Sequence, residues 1–258
     1  MDLEERGMRG AANRLFNRYL APEPSPAMAG LAALPLFMSI RAAIRAKVEA
    51  AAAERLDDAP RDEARALARG YFARAAEFLR YVAPRLVAIG GLSGAGKSAL
   101  AGGLTPDLGR APGALWLRSD VERKAMFGVA EAARLPDNAY APEVSRETYR
   151  RIDEKARLAL IAGQSALLDA TFATASEREA ASKIAAETVV AFDGLFLDAP
   201  LDTRLARIAG RGPDASDADA RVARRQRADP LREREWEVID ASGGLAETIA
   251  LARERLVV

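Results

Sequence analysis

The chain has 258 residues, with 38 Lys+Arg against 37 Asp+Glu and a formal net charge of +1. That length fits one large or two small domains, and the charge is too balanced to attract nucleic acid or a membrane overall. Half of the residues are hydrophobic and 29% are charged, a globular profile rather than a disordered one. There is no histidine and no cysteine, which excludes Ser–His–Asp and Cys–His nucleophile systems, thiol redox chemistry, disulfides and His/Cys zinc sites. Any metal must be held by oxygen ligands and phosphates, which points to Mg²⁺.

Residues 1–84 carry 13 Lys+Arg and 11 Asp+Glu and hold no convincing strand run, so they read as a helical bundle or part of one. The opening MDLEERGMRG mixes acids with bases and leads into no signal-like core. Pro22, Pro24 and Pro26 predict a stiff turn between two helical pieces. The longest apolar run, Ala27 to Ile40, is interrupted by Pro35 and falls short of the ~20 residues of a bilayer span. It predicts a buried helix pair or elbow, no membrane association, and a soluble cytoplasmic chain. Arg41 to Leu56 suits a helix. Asp57 and Asp58 place negative charge where the next helix begins, and Pro60 fits its first turn. Ala64, Leu67, Ala68, Tyr71, Phe72, Ala75, Phe78, Leu79 and Val82 then recur at helical spacing, as one apolar face for core packing. Pro84 punctuates the chain.

Beyond it, over residues 85–258, five runs read as buried parallel strands: Leu86–Gly90, Ala114–Leu117, Ala166–Asp169, Val189–Leu197 and Val238–Asp240. Helical stretches separate them, so right-handed crossovers predict a three-layer α/β domain.

The first of these strands runs into Gly91-Leu92-Ser93-Gly94-Ala95-Gly96-Lys97-Ser98, a full match to G-x-x-x-x-G-K-[ST]. With 19 Gly, 5 Lys and 18 Ser+Thr in the chain, about 0.002 such matches are expected by chance. Glycines there let successive backbone N–H groups point at phosphate oxygens at the start of a helix, through Ala99. Lys97 would reach the β- and γ-phosphates of ATP, and the Ser98 hydroxyl would bind Mg²⁺.

Asp120 follows the second strand, at the carboxyl end of the sheet, where a carboxylate can take the proton of a substrate hydroxyl. Arg123, three residues on, shares its helical face and can hold an anionic or polar substrate group. The plainer reading gives Asp120 a capping role over a helix at 121–128. Asp169 ends the third strand as a metal-orienting carboxylate would; a substrate-side bond or a structural cap are the alternatives. Residues 202–232 are arginine-dense around the break Gly210-Arg211-Gly212-Pro213-Asp214. This is the pattern of a mobile helical lid, with Arg207 and Arg211 nearest the break as candidates to neutralise charge on a transferred phosphoryl group. A solvated charged face is the competing reading for any one of these arginines. Glu237–Gly244 would end the last strand beside the nucleotide, and residues 128–150 would frame the acceptor pocket.

Taken together, GLSGAGKS, RSDVER, LLDATF, APLDTRLARI…DASDAD and VIDASG resemble the predicted P-loop kinases that carry the label "AAA family ATPase". That wider group includes gluconate kinase, zeta toxin, chloramphenicol phosphotransferase and polynucleotide 5′-kinase. The resemblance spans roughly residues 85–258. It implies an adenylate-kinase-like, five-stranded parallel sheet of order 2-3-1-4-5 with a lid. In the polynucleotide kinases D-x-x-R pairs a catalytic base with a substrate-phosphate ligand, which falls on Asp120 and Arg123. The arginine-finger and sensor arrangement of ring-forming AAA machines is not seen. Residues 11–84, notably AANRLFNRYL and LPLFMSIRAAIRAKVEA, resemble the C-terminal helices of an aminoglycoside-phosphotransferase-like domain. The H-G-D motif of that family is absent, and so is its nucleotide-binding lobe. The segment thus reads as a truncated remnant exposing an apolar face, which dimerisation or a separate partner would cover.

Two functions follow as expectations. One is an ATP- and Mg²⁺-dependent kinase acting on a hydroxyl of a small molecule or a nucleic-acid end. The other is a nucleotide-responsive binding module with weak ATPase activity and no dedicated acceptor.

Overall fold

The computed structural model describes residues 1–210, 212, 215–232 and 234–256. At its centre is β1 (Arg85–Gly91), whose side chains from Leu86 to Ile89 are fully buried. Alternation along this strand builds two cores. Leu86 and Ala88 face one side, with Leu168 of β3 (Ala166–Asp169), Ile152 of α7 (Pro142–Ile161) and Ile184 of α8 (Ala175–Thr188). Val87 and Ile89 face the other, with Leu100 of α5 (Lys97–Leu104), Leu195 of β4 (Ala191–Asp198) and Ala252 of α11 (Leu245–Leu256). With β2 (Leu115–Arg118) and β5 (Trp236–Asp240) the sheet has five strands in the order β2-β3-β1-β4-β5, all pairs parallel. Helices cover both faces, so the fold is a three-layer α/β P-loop sheet with an N-terminal helical segment, as expected.

Two strand edges differ from the sequence reading by two residues, the others by one at most. Val189 is no strand residue: it closes α8 in a left-handed conformation at φ 55°, 91% exposed. Its β-branched apolar character mimics a strand start, but the helix cap wins. β5 begins earlier than expected, at Trp236, because that indole packs over Gly194 of the neighbouring strand, where a Cβ would lie only 2.3 Å from the ring. Trp236 also meets the rings of Phe172 and Phe192 at 5.2 and 5.9 Å.

The N-terminal segment starts with α1 (Asp2–Glu5) and α2 (Arg9–Leu20), then the proline turn and a 3₁₀ stretch, Ser25–Ala33. Leu20, Met28 and Leu31 sink into the same apolar cluster as Leu86 and Ile152, so the first 33 residues share a core with the sheet. Then α3 (Leu34–Ala53) and α4 (Asp58–Phe78) form a hairpin joined by Met38, Ala42, Ala75 and Phe78. Here burial is only partial: Met38, Tyr71, Ala75 and Phe78 are buried, and an apolar face is left exposed. Phe37 is 66% and Phe72 71% exposed, and Leu36, Ile40, Ile44, Val48 and Leu79 are exposed with them. The hairpin buries only the stripe between its two helices, which leaves the second apolar stripe of each uncovered. Ser25–Ala53 is long and apolar enough to cross a membrane by length and composition alone, and 28% of its apolar window is buried within the fold.

Candidate nucleotide and acceptor site

Lys97, Ser98, Asp120, Arg123, Asp169 and Arg207 all line one cavity of about 820 Å³ at the carboxyl ends of the strands. Residues Ser93 to Ala99 line one end of it, while Gly91 and Leu92 lead into the loop. The loop needs its glycines: Gly94 and Gly96 adopt φ +85° and +101°, and a Cβ on Gly94 would sit 2.5 Å from the Arg204 carbonyl oxygen. That close approach lets α9 (Leu201–Ala209) lie directly on the loop. Arg204 donates to the Ser93 carbonyl at 3.3 Å, and the Ser93 amide donates to Gln226 Oε1 at 2.8 Å. Lys97 opens α5 and donates to the Leu92 carbonyl at 3.4 Å, closing the loop on itself.

Ser98 and Asp169, separated by 71 residues, meet: the Ser98 hydroxyl donates to Asp169 Oδ2 at 2.8 Å. Two neighbours gave no local signal in the sequence. Trp116 donates its indole N–H to the same Oδ2 at 3.3 Å, and the Arg118 guanidinium lies 3.7 Å from it. Burial pushes the Asp169 carboxyl above its ordinary value, against the pull of Lys97, Arg118 and the Ser98 bond. A Ser hydroxyl beside one carboxylate is a hard-oxygen donor set that fits Mg²⁺. Among the described residues no cluster of three or more Asp or Glu could hold a metal alone, so phosphates and water would complete the coordination.

The other end of the cavity is built on α6 (Ser119–Met126), which follows β2 without a loop. Asp120 lies in its first turn and lines the cavity, half-buried. Arg123 also lines it but is 6% exposed. It donates to the Ala139 carbonyl at 2.8 Å and stacks on Tyr140 at 5.0 Å, while its Nε is buried with no hydrogen-bond partner. Arg134, Leu135, Asp137, Tyr140 and Tyr149 add to this wall, within the 128–150 segment expected to frame it.

Among the described residues of 202–232, the segment expected to form a lid, several are tied to the rest of the fold. Arg207 spans the Ala95 carbonyl at 3.2 Å and the Gly243 carbonyl at 2.7 Å, joining the phosphate loop to the loop after β5. Arg211 lies outside the described residues. Ahead of α10 (Ala220–Arg225), Asp217 accepts from Lys124 Nζ at 3.1 Å, the Leu135 amide at 2.9 Å and the Tyr140 hydroxyl at 2.7 Å. Lys124 is 1% exposed, so this cluster seals the cavity rim with a buried cation.

A P-loop at the mouth of a 2-3-1-4-5 parallel sheet, with carboxylates at the ends of β2 and β3, defines a nucleotide-binding α/β protein. The chain belongs to the family described as "AAA domain", which matches residues 86–230. Uncharacterized proteins of Mycobacterium tuberculosis strain H37Rv and of Mycobacterium bovis are 30% identical to it over 98% of its length. The chain spans about half (49%) of the length of those curated relatives. Among solved structures it is similar to a sugar kinase from Janibacter (20% identity, TM-score 0.49, 67% of this chain and 95% of that one). It is also similar to a gluconokinase from Sinorhizobium meliloti (20%, TM-score 0.46, 69% and 98%). A third is the APS kinase CysC of Mycobacterium tuberculosis (19%, TM-score 0.47, 68% and 98%).

Proposed function

We propose that the protein is an ATP- and Mg²⁺-dependent phosphotransferase that moves the γ-phosphoryl group to a hydroxyl of an anionic or polar small molecule or a nucleic-acid end. The observation that carries this reading is the single cavity with the phosphate loop at one end and Asp120 and Arg123 at the other. A nucleotide switch needs only the first end.

The loop amides from Ser93 onward and Lys97 bind the triphosphate; Ser98 and Asp169 would hold Mg²⁺, which would supply charge neutralisation for the phosphates. Asp120 accepts the proton of the attacking hydroxyl. Arg123 lines the cavity and offers its guanidinium to an acidic or polar group of the acceptor, with Tyr140 holding the guanidinium plane in place. Arg207 fastens the phosphate loop against the loop near Gly243, and it and Arg211, the arginines nearest the break in the sequence, are the candidates to neutralise charge on the transferred group. The cavity of about 820 Å³ offers room beyond the phosphate loop for an acceptor, and the cluster at Asp217 lies on its rim. Residues 1–84 are read as helices resembling the C-terminal part of a phosphotransferase-like domain. The exposed side chains of α3 and α4 support that reading, with a second copy or a separate partner as what would cover them.

The test is Asp120→Asn, assayed with γ-labelled ATP against sugars, small hydroxy acids, nucleosides and nucleic-acid 5′ ends. Loss of a general base lowers transfer by roughly 10²–10⁴-fold while ATP still binds. Transfer at the wild-type rate would remove Asp120 as the base. Free phosphate as the sole product, with every acceptor, would remove the phosphotransferase.

A further inference from the structure

β2 is an edge strand, and its outer side is closed by side chains of α2 rather than by another strand. The Asn17 amide accepts from the Trp116 N–H at 2.6 Å through Oδ1 and donates to the Ala114 carbonyl at 3.2 Å through Nδ2. Asn13, one turn earlier and 2% exposed, reaches the same carbonyl at 3.1 Å and accepts from Asn17 at 3.1 Å. A residue of a parallel neighbouring strand engages the C=O of one residue and the N–H two further on. One side-chain amide supplies both partners here.

The residue so anchored is the one that touches the phosphate site. Trp116 donates to the Asp169 oxygen that also accepts from Ser98, and its ring lies 5.0 Å under the Arg118 guanidinium. Glu131 pairs with Arg118 at 2.8 Å, and Arg18, next to Asn17, lies 3.5 Å from Glu131. Two residues beyond Arg118 is Asp120.

We infer that Asn17 is a positioning residue for the metal–phosphate centre. By fixing the β2 backbone at Trp116 it sets the indole that orients Asp169 toward Ser98. This rests on the phosphotransferase reading only for its kinetic consequence; the orientation of Asp169 is testable without any acceptor.

The experiment uses the full chain with Trp236→Phe, which leaves Trp116 as the sole indole. Trp116 emission is followed while Mg²⁺ is titrated at fixed ATP. Asn17→Leu strips both groups from the β2 edge, and the Mg²⁺ needed for half-maximal response should rise by about tenfold, the usual scale for buried hydrogen-bonding groups left unpaired. Asn17→Asp keeps the acceptor oxygen and loses the donor, so it should move the same way by about threefold. If Asn17→Leu fails to fold, this variant carries the test. Arg9→Ala is the control, since it removes bonds from the same helix to the Pro106 and Gly109 carbonyls without touching β2. It should lower Tm yet leave the Mg²⁺ response alone. Where an acceptor is in hand, Asn17→Leu should lower kcat by a similar factor and leave KM for ATP unchanged. An unshifted Mg²⁺ response in both Asn17 variants would overturn the inference, as would an equal shift in Arg9→Ala. Absence of an acceptor would defeat the phosphotransferase reading and leave this result standing.

Discussion

Replacing Asp217 by Ala is the most informative perturbation of the cavity rim. Asp217 is the only carboxylate within ion-pair distance of Lys124 among the described residues, and it accepts three hydrogen bonds from the opposite wall. Its side chain is 11% exposed and that of Lys124 1%. Without Asp217 the ammonium keeps only the Glu131 carbonyl at 2.8 Å. Removing one member of a buried pair costs about 3–5 kcal/mol when the other charge stays buried. The residual exposure of Asp217 argues for the lower end. About 3 kcal/mol is roughly a hundredfold in the closed-to-open ratio of segment 215–219, since opening is how the stranded ammonium regains water. Amide hydrogen exchange should therefore speed up over 215–225, and acceptor KM should rise by up to that factor, while ATP affinity at the phosphate loop changes little. Burial pushes the Asp217 carboxyl up, but bonds from Tyr140, Leu135 and Lys124 outweigh it and leave the group below its ordinary value. A depressed carboxylate stabilises above its unfolded pKa and loses that contribution as pH falls through the folded one. The closure should accordingly persist throughout the neutral range and fail only at pH below the usual Asp range. Unchanged exchange over 215–225 together with unchanged acceptor KM in Asp217→Ala would refute the closure.

Three other outcomes are expected. Gly94→Ala forces a Cβ to within 2.5 Å of the Arg204 carbonyl at φ +85°; the left-handed backbone alone costs about 1–2 kcal/mol, so calorimetry should record at least about a tenfold loss of ATP affinity. Asp169 is held above the ordinary carboxyl value by burial, so protons should compete with Mg²⁺ at higher pH than for a solvated Asp. Mg²⁺ titrations should thus weaken on acidification well before circular dichroism records any loss of fold. Lys155 Nζ and Glu122 Oε2 form a buried pair at 2.7 Å beneath α6, so Lys155→Met should lower stability by about 3 kcal/mol in denaturant melts, whereas Arg157→Met at an exposed pair should cost under about 1 kcal/mol.

The phosphate loop, the strand that feeds it and Asp169 were legible in the sequence because their signals are local: a contiguous motif, apolar runs and a carboxylate at a run's end. Asp120 was legible for the same reason, as the residue where β2 gives way to α6. What escaped notice depends on contacts across long stretches of chain. Asn17 lies 99 residues from Trp116, and Asp217 lies 93 from Lys124; neither pair leaves any periodic trace. Arg123 shows the limit of composition in another way. As a cation near a carboxylate it reads as surface-available, yet it is 6% exposed, packed against Tyr140 and bonded to the Ala139 carbonyl. The apolar run in α3 misled in the opposite direction, because hydrophobicity marks what can be buried and not whether a neighbour exists to bury it.

The uncovered ridge on the α3–α4 hairpin affects how the protein will behave on the bench. Environment-sensitive dyes such as ANS should fluoresce with the fully folded chain, a response commonly taken as the mark of a molten state. Near-ultraviolet dichroism from Trp116 and Trp236 separates the two situations. A sharp aromatic signal alongside bright dye means native packing with a greasy flank, and glutamates at Phe37 and Phe72 should quench the dye while leaving the aromatic spectrum intact.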